Sequence, residues 1–331
     1  MESISDTITK GYHTLKKNQS LVSPMLIYLV VNFIVSFVIQ ILSMFTAVLG
    51  YTGSYSIVMI ILLILSLISI VIMMVLGAYF SAGAIGLAKD ATSTGKVNWS
   101  DMWAYGKKYY VRLFLAQIVL TLISFVSVLF FIPFIYEYST YVTFMGVSST
   151  AMVTYLILGL LLALIYLIVV SIILYFVSYA IVIDDLSVTE GFKKSYKLFR
   201  EHTVKIILFN LAIIGIAIFI GIVFSLIMAF SVVFFISPAL AIIGLLIMMI
   251  VYLILIVVFF LFLVLIYIWS TRYYMVLTGK PIFDGDNEPH QDIPQNHLAE
   301  MRSEEETASS SQTEENPQIK TDDDEESELN N

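Results

Sequence analysis

Two adjacent carboxylates, Asp184 and Asp185, are the residues of this chain best placed by type to do chemistry. Side-by-side acids can hold a divalent cation or accept from the hydroxyls of a lipid headgroup. Acids just ahead of a helix serve more often as cap and dipole partners, and that is the reading adopted. The histidines, His13, His202, His290 and His297, are scattered, so they do not suggest a metal site. Cysteine is absent, which excludes disulfides, thiol chemistry, cysteine zinc sites and S-acylation. There is no P-loop and no HExxH, and Gly83 with Gly86 is only a fragment of a dinucleotide motif inside an apolar run. The sequence therefore points to no catalytic residue, no cofactor and no metal, and to a protein that is not an enzyme.

The cations form a more promising pattern. In the stretch DDLSVTEGFKKSYKLFREHTVK, Ser187 followed by Glu190 is a capping box, so a helix starts there. At about 100° per residue, Val188, Phe192, Ser195, Tyr196 and Phe199 share one side. Lys193, Lys194, Lys197, Arg200 and Glu201 share the other. Such a helix lies along a membrane with its apolar face in the headgroup boundary. A second one is expected after Asn98 and Asp101, with Trp99, Met102, Trp103, Gly106, Tyr109 and Tyr110 against Asp101, Lys108 and Arg112. A third is expected over residues 1–18, with Ile4, Ile8, Gly11, Tyr12 and Leu15 against Asp6, Lys10, His13 and Lys17. Lys193, Lys194, Lys197, Arg200, Lys107, Lys108 and Arg112 are the expected contacts for anionic lipid headgroups or a partner. The cation clusters are short and close to membrane spans, which argues against nucleic acid.

The elements that carry these cations are membrane spans. Hydrophobic residues make up 59% of the 331 and charged residues 13%, with a mean hydropathy of +0.93. Soluble domains carry about 25% charged residues. The apolar runs give an all-α protein with six spans, about 21–49, 57–88, 113–135, 152–180, 204–230 and 239–269. Residues 136–151 read as a polar loop, and the first run is too long for a signal peptide. With the N-terminus inside, all 17 Lys and Arg fall on the cytoplasmic side and the three outer segments hold none. This bias sets the orientation and predicts a multi-pass cell-membrane protein with both termini cytoplasmic.

Polar residues within the spans are few. Asn32, Gln40, Gln117 and Asn210 are amides, which commonly bond between helices. Glu137 is the one charge on the outer side and reads as an interfacial carboxylate. The absence of a mid-span charge argues against an ion-coupled pump. Ala78, Ala82 and Gly86, at steps of four, predict close helix packing within one subunit.

Residues 1–280 form the membrane domain and carry 15 basic and 9 acidic residues. Residues 281–331 carry 2 basic and 16 acidic ones, and read as a disordered cytoplasmic tail suited to a basic protein partner or to the cations of Lys193–Arg200. The membrane domain repeats one plan three times: surface helix, outgoing span, returning span. Ala84, Ile85 and Asp90 echo Ala180, Ile181 and Asp185. Trp99, Trp103, Lys107, Arg112 and Gln117 echo Phe192, Tyr196, Arg200, Lys205 and Asn210 at an offset of 93. Duplication and shared surface physics both account for this.

The residues AIVIDDLSVTEGFKKSYKLFREH, with GYHTLKKN before the first span, resemble a broad group of multi-pass prokaryotic membrane proteins. Many are archaeal and of unknown function, and they include the membrane domain fused to some glycerophosphoryl diester phosphodiesterases. The likeness covers roughly residues 1–280. It implies a six-helix membrane protein and contains no catalytic motif. The phosphodiesterase barrel of the fused relatives is missing, so that activity is not carried over. The expected role is that of a non-enzymatic membrane-organising or partner-binding protein. The alternative is a transporter or permease for an apolar or amphipathic solute, which polar amides lining one cavity and broken spans would support. An intramembrane enzyme would need carboxylates clustered about one pocket.

Overall fold

A computed structural model describes residues 2–50, 55–144, 149–232 and 241–283. The acidic tail beyond Phe283 lies outside the described residues, and so does the expectation of disorder there. The described chain is helical: α1 (Ile4–Lys17), α2 (Ser23–Gly50), α3 (Tyr55–Thr94), α4 (Asp101–Phe125), α5 (Ile132–Phe144), α6 (Ser149–Ile173), α7 (Val177–Ile183), α8 (Val188–Val232) and α9 (Ala241–Thr278). Six helical stretches are long and apolar enough to cross a membrane.

Length alone shows that these helices do more than cross. The 40 residues of α3 would extend about 60 Å at about 1.5 Å each, twice the roughly 30 Å of hydrocarbon. The helix runs past Ala88 to Thr94, and α4 carries the second amphipathic segment straight into its span without a break. The second surface helix is therefore not a separate element. The opposite end of this span also departs from expectation. Val126–Phe131 tightens into a 3₁₀ stretch, and α5 then continues to Phe144 where a loop was expected. Pro133 explains the tightening, since its ring lacks an N–H and crowds the carbonyl four residues back. Glu137 thus sits on a helix.

The fourth span is broken. After α6 the chain turns through Leu174–Phe176 and restarts as α7, whose Val177 and Tyr179 to Ile183 are all buried. An unbroken apolar run carries no signal for such a break. In α8 the helical geometry fails at His202 (φ −132°, ψ 32°), dividing the amphipathic part from the span.

Burial is concentrated at one end of the bundle. There α7 is surrounded by α3, α4, α8 and α9. Ala78 and Ala82 are fully buried in this core, which fits the expected packing role of the small-residue stripe. Toward the other end, large apolar side chains such as Phe33, Leu63, Phe230 and Ile242 are exposed, as lipid contact requires.

Each amphipathic segment seats on the end of a returning span: α4 on α3, α8 on α7, and α1 on α9. A glycine lies at each seat. A Cβ on Gly106 would meet the Tyr79 ring at 2.6 Å, one on Gly191 would meet Ile181 at 2.8 Å, and one on Gly11 would meet Trp269. Gly106 and Gly191 are not related by the offset of 93, although Met102 and Ser195, Leu113 and Ile206, and Ala116 and Phe209, which are, are all buried. The third seat joins the first helix to the last and closes the set into a ring.

Candidate functional site

The charged residues meet at this packed end, which we call the cap. Helix α9 ends at Gly279, whose φ of +68° suits a residue without Cβ. The N–H of Lys280 donates to the Met275 carbonyl (3.0 Å), as in a Schellman cap. This turn brings Lys280 Nζ to 2.6 Å from Asp184 Oδ1. The Tyr274 hydroxyl donates to Asp184 Oδ2 (2.6 Å). The next residue, Asp185, has φ +55°, a conformation that short polar residues tolerate. Its carboxylate pairs with Lys108 (3.0 Å) and Arg112 (2.7 Å), and Arg112 also donates to the carbonyl of Asp185 (3.3 Å).

These contacts correct one expectation. Asp184 and Asp185 are not the caps of α8. That role belongs to Ser187 and Glu190: Ser187 N–H donates to Glu190 Oε2 (3.0 Å), and Glu190 N–H donates to Ser187 Oγ (3.4 Å). The two acids instead tie three segments together through side chains far away in the sequence. Lys108 and Arg112, both still substantially exposed, pair with Asp185. Lys107, Lys193, Lys194 and Arg200 have no ion pair among the described residues, and Lys197 has only a long contact with Glu201 (3.8 Å).

Hydrogen bonds from Lys108, and secondarily from Arg112, hold the Asp185 carboxyl below its ordinary value of 3.8. A lowered native pKa contributes stability above the ordinary value, and this is lost as pH falls through the native one. We expect the contact between α4 and the 184–187 turn to be constant from neutrality to about pH 5 and to loosen below about pH 4. All three side chains are substantially exposed, so the effect is small, about 0–1 kcal/mol. Thermal unfolding across this range should show an acid limb that Asp185→Asn removes.

The amphipathic faces also behave differently from expectation. On α8 the buried side is Gly191, Ser195 and Leu198, and Ser195 Oγ donates to the Ile173 carbonyl (3.0 Å). On α1, Trp269 Nε1 donates to the Ile8 carbonyl (3.0 Å). The apolar stripes are thus largely used within the protein rather than left for lipid. Some aromatics remain exposed beside the cations: Tyr12 on α1, Trp103 and Tyr110 on α4 with Trp99 just before it, and Tyr196 on α8.

Among the described residues no three His, Cys, Asp or Glu cluster to hold a metal. His290 and His297 lie outside them. Asn210 bonds within its own helix, to the Ile206 carbonyl (2.9 Å), and Gln40 is exposed. Asn32 and Gln117 line one cleft of about 650 Å³ between α2, α3, α4 and α9, together with Tyr28, Ser36, Ser81 and Tyr267.

Sequence reasoning missed the polar layer between this cleft and the cap. Tyr267 and Ser81 share a hydrogen bond (2.9 Å), as do Tyr175 and Ser270 (2.6 Å). Below them Arg272, 2% exposed, donates to Glu2 (2.9 Å). The signal was available: Ser270-Thr271-Arg272 is a polar triplet at the end of an otherwise apolar helix. No curated protein matches the chain. A family model matches residues 3–277, so the chain belongs to the family described as a domain of unknown function, DUF7847.

Proposed function

We propose that this protein is a non-enzymatic cell-membrane component that gathers anionic lipid headgroups on the outer surface of its cap, with both termini cytoplasmic. One observation carries this reading. The cations Lys193, Lys197 and Arg200, with the half-buried Lys194 at their edge, project from a helix whose opposite side is used up on α7, so they face outward beside the exposed Tyr196. Lys107 extends the surface near Trp103 and Tyr110. Each such cation near an anionic leaflet contributes about 1 kcal/mol, and aromatic rings favour the headgroup level. The acidic tail belongs to the same proposal, as a recruiter of a basic protein or a competitor for these cations. The resemblance of the sequence to membrane domains fused to some glycerophosphoryl diester phosphodiesterases supports only a lipid-facing role.

The test is lipid enrichment in proteoliposomes, read with spin-labelled phosphatidylglycerol against phosphatidylcholine. Several-fold enrichment of the anionic lipid is expected at low salt. It should fall with ionic strength and vanish when Lys193, Lys194, Lys197 and Arg200 are all changed to Gln. Equal enrichment in that variant defeats the reading. Enrichment unchanged by deletion of residues 284–331 removes the tail from it.

A second reading, passage of an amphipathic solute, is supported by the amides that share one cleft and by the interruptions at Leu174–Phe176 and His202. Flux of such a solute into proteoliposomes decides it.

A further inference from the structure

We infer that the cleft between α2, α3, α4 and α9 is a binding site for an uncharged amphiphile of the acylglycerol class, an acyl chain bearing a hydroxyl- and ester-containing head. The inference names a ligand for the cleft of the second reading. It rests on that cleft but not on passage across the membrane.

The lining sets the chemistry. Among the described residues no Asp, Glu, Lys, Arg or His lines the cleft. A charged head would therefore be buried without a partner, at a cost of several kcal/mol or more. The polar groups present are amides and hydroxyls. Gln117 Oε1 is buried and accepts no hydrogen bond among the described residues. A rotation about the last side-chain torsion would turn this unsatisfied acceptor toward the cleft, where a ligand hydroxyl supplies the donor. Asn32 Nδ2 donates only to the weak acceptor Met73 Sδ (3.4 Å), and Asn32 Oδ1 accepts from Ser36 (3.3 Å). The second amide hydrogen of Asn32 suits an ester carbonyl. Head and carbonyl would thus be held by side chains of two helices, α4 and α2.

The remaining walls are apolar. Phe80, Phe260 and Leu263 line the interior between the polar groups, and Leu29, Phe33 and Phe259 form an exposed rim toward the lipid. The volume of about 650 Å³ falls within the roughly 300–1,000 Å³ of small-molecule sites. A second hollow of about 590 Å³ shares Tyr28, Gly77 and Gln117, so these three residues form the wall between two lobes. Gly77 is the opening in that wall. A Cβ there would meet only Gln117 Nε2 and the Tyr28 hydroxyl, each at 3.9 Å. A larger side chain there extends from this open position into the ligand's space.

The experiment uses the full chain in nanodiscs with a diazirine-bearing monoacylglycerol, against a phosphatidic acid carrying the same acyl chain and diazirine. Saturable labelling by the neutral probe is expected, with crosslinked peptides from α2, α4 or α9. Unlabelled monoacylglycerol should compete. Gly77→Leu should weaken labelling at least tenfold and Gln117→Leu several-fold, whereas Gly77→Ala should keep it within about twofold. Matching thermal unfolding curves separate ligand loss from misfolding. The Gln variant of the four α8 cations should label as the wild type does, so failure of the headgroup reading leaves this result standing. Equal labelling of Gly77→Leu, or preference for phosphatidic acid, overturns the inference. Flux measured separately bears on passage alone.

Discussion

Glu2→Ala should release α1 from the bundle. The side chain of Arg272 is 2% exposed and that of Glu2 is 12% exposed, and the carboxylate accepts from both Nε (3.2 Å) and Nη2 (2.9 Å) of the arginine. Lys10 approaches the same carboxylate from α1 (3.2 Å). Removing one member of a buried pair costs about 3–5 kcal/mol, because the other charge stays in a low-dielectric site. Little of this is lost to solvent screening, since both groups are shielded. The readout is hydrogen exchange or limited proteolysis of residues 4–17, which should become fast while α3 and α4 stay protected. Replacing the pair together, Glu2→Leu with Arg272→Met, should recover most of the loss, since a hydrophobic substitute for a buried ion pair is often neutral or better. If α1 stays protected in Glu2→Ala, the pair is not what holds it.

Gly86→Val should damage the hairpin of α3 and α4. A Cβ at this position would overlap the ring of Tyr105, and that ring is fixed by its hydroxyl, which donates to Asp90 Oδ1 (2.8 Å). Gly83 is nearly as closed, with Met102 Cγ at 2.6 Å. Overpacking of this kind costs about 1–3 kcal/mol and sometimes more, and a β-branched side chain has few rotamers with which to escape. Gly215 and Gly221 of α8 provide the control. A Cβ at either would meet nothing within 4 Å, so alanine there should be neutral or add up to about 1 kcal/mol of helix stability. Unfolding midpoints in detergent should separate the two groups of variants. A Gly86→Val protein as stable as Gly215→Ala would show that the helices part at no cost.

What the sequence could show follows from the range of each interaction. The Ser187–Glu190 capping box is local, and it forms as read. The stripe of Ala78 and Ala82 was legible because small residues matter only where helices approach. By contrast, amphipathicity shows that a face is apolar but not what covers it. The faces of α1 and α8 suit a bilayer and a protein equally well, and here they are seated largely on α9 and α7. Asp184 and Asp185 looked like local caps because their partners, Lys280 and the pair Lys108 and Arg112, lie far away in sequence. The separate helix α7 was hidden for another reason. Where every residue from Ile168 to Ile183 other than Ser171 and Ser178 is apolar or aromatic, periodicity carries no information about breaks.

The ring of seats has a consequence for biosynthesis. The seats of α4 and α8 are on helices made just before them, so each can dock as soon as it emerges. The seat of α1 is on Trp269 and Arg272, near the end of the last span. Helix α1, made well before α9, must therefore wait with its apolar face uncovered until the sixth span arrives. Docking of α1 is in that sense a completion signal. A chain stopped before α9 leaves the apolar face of α1 without the helix that covers it.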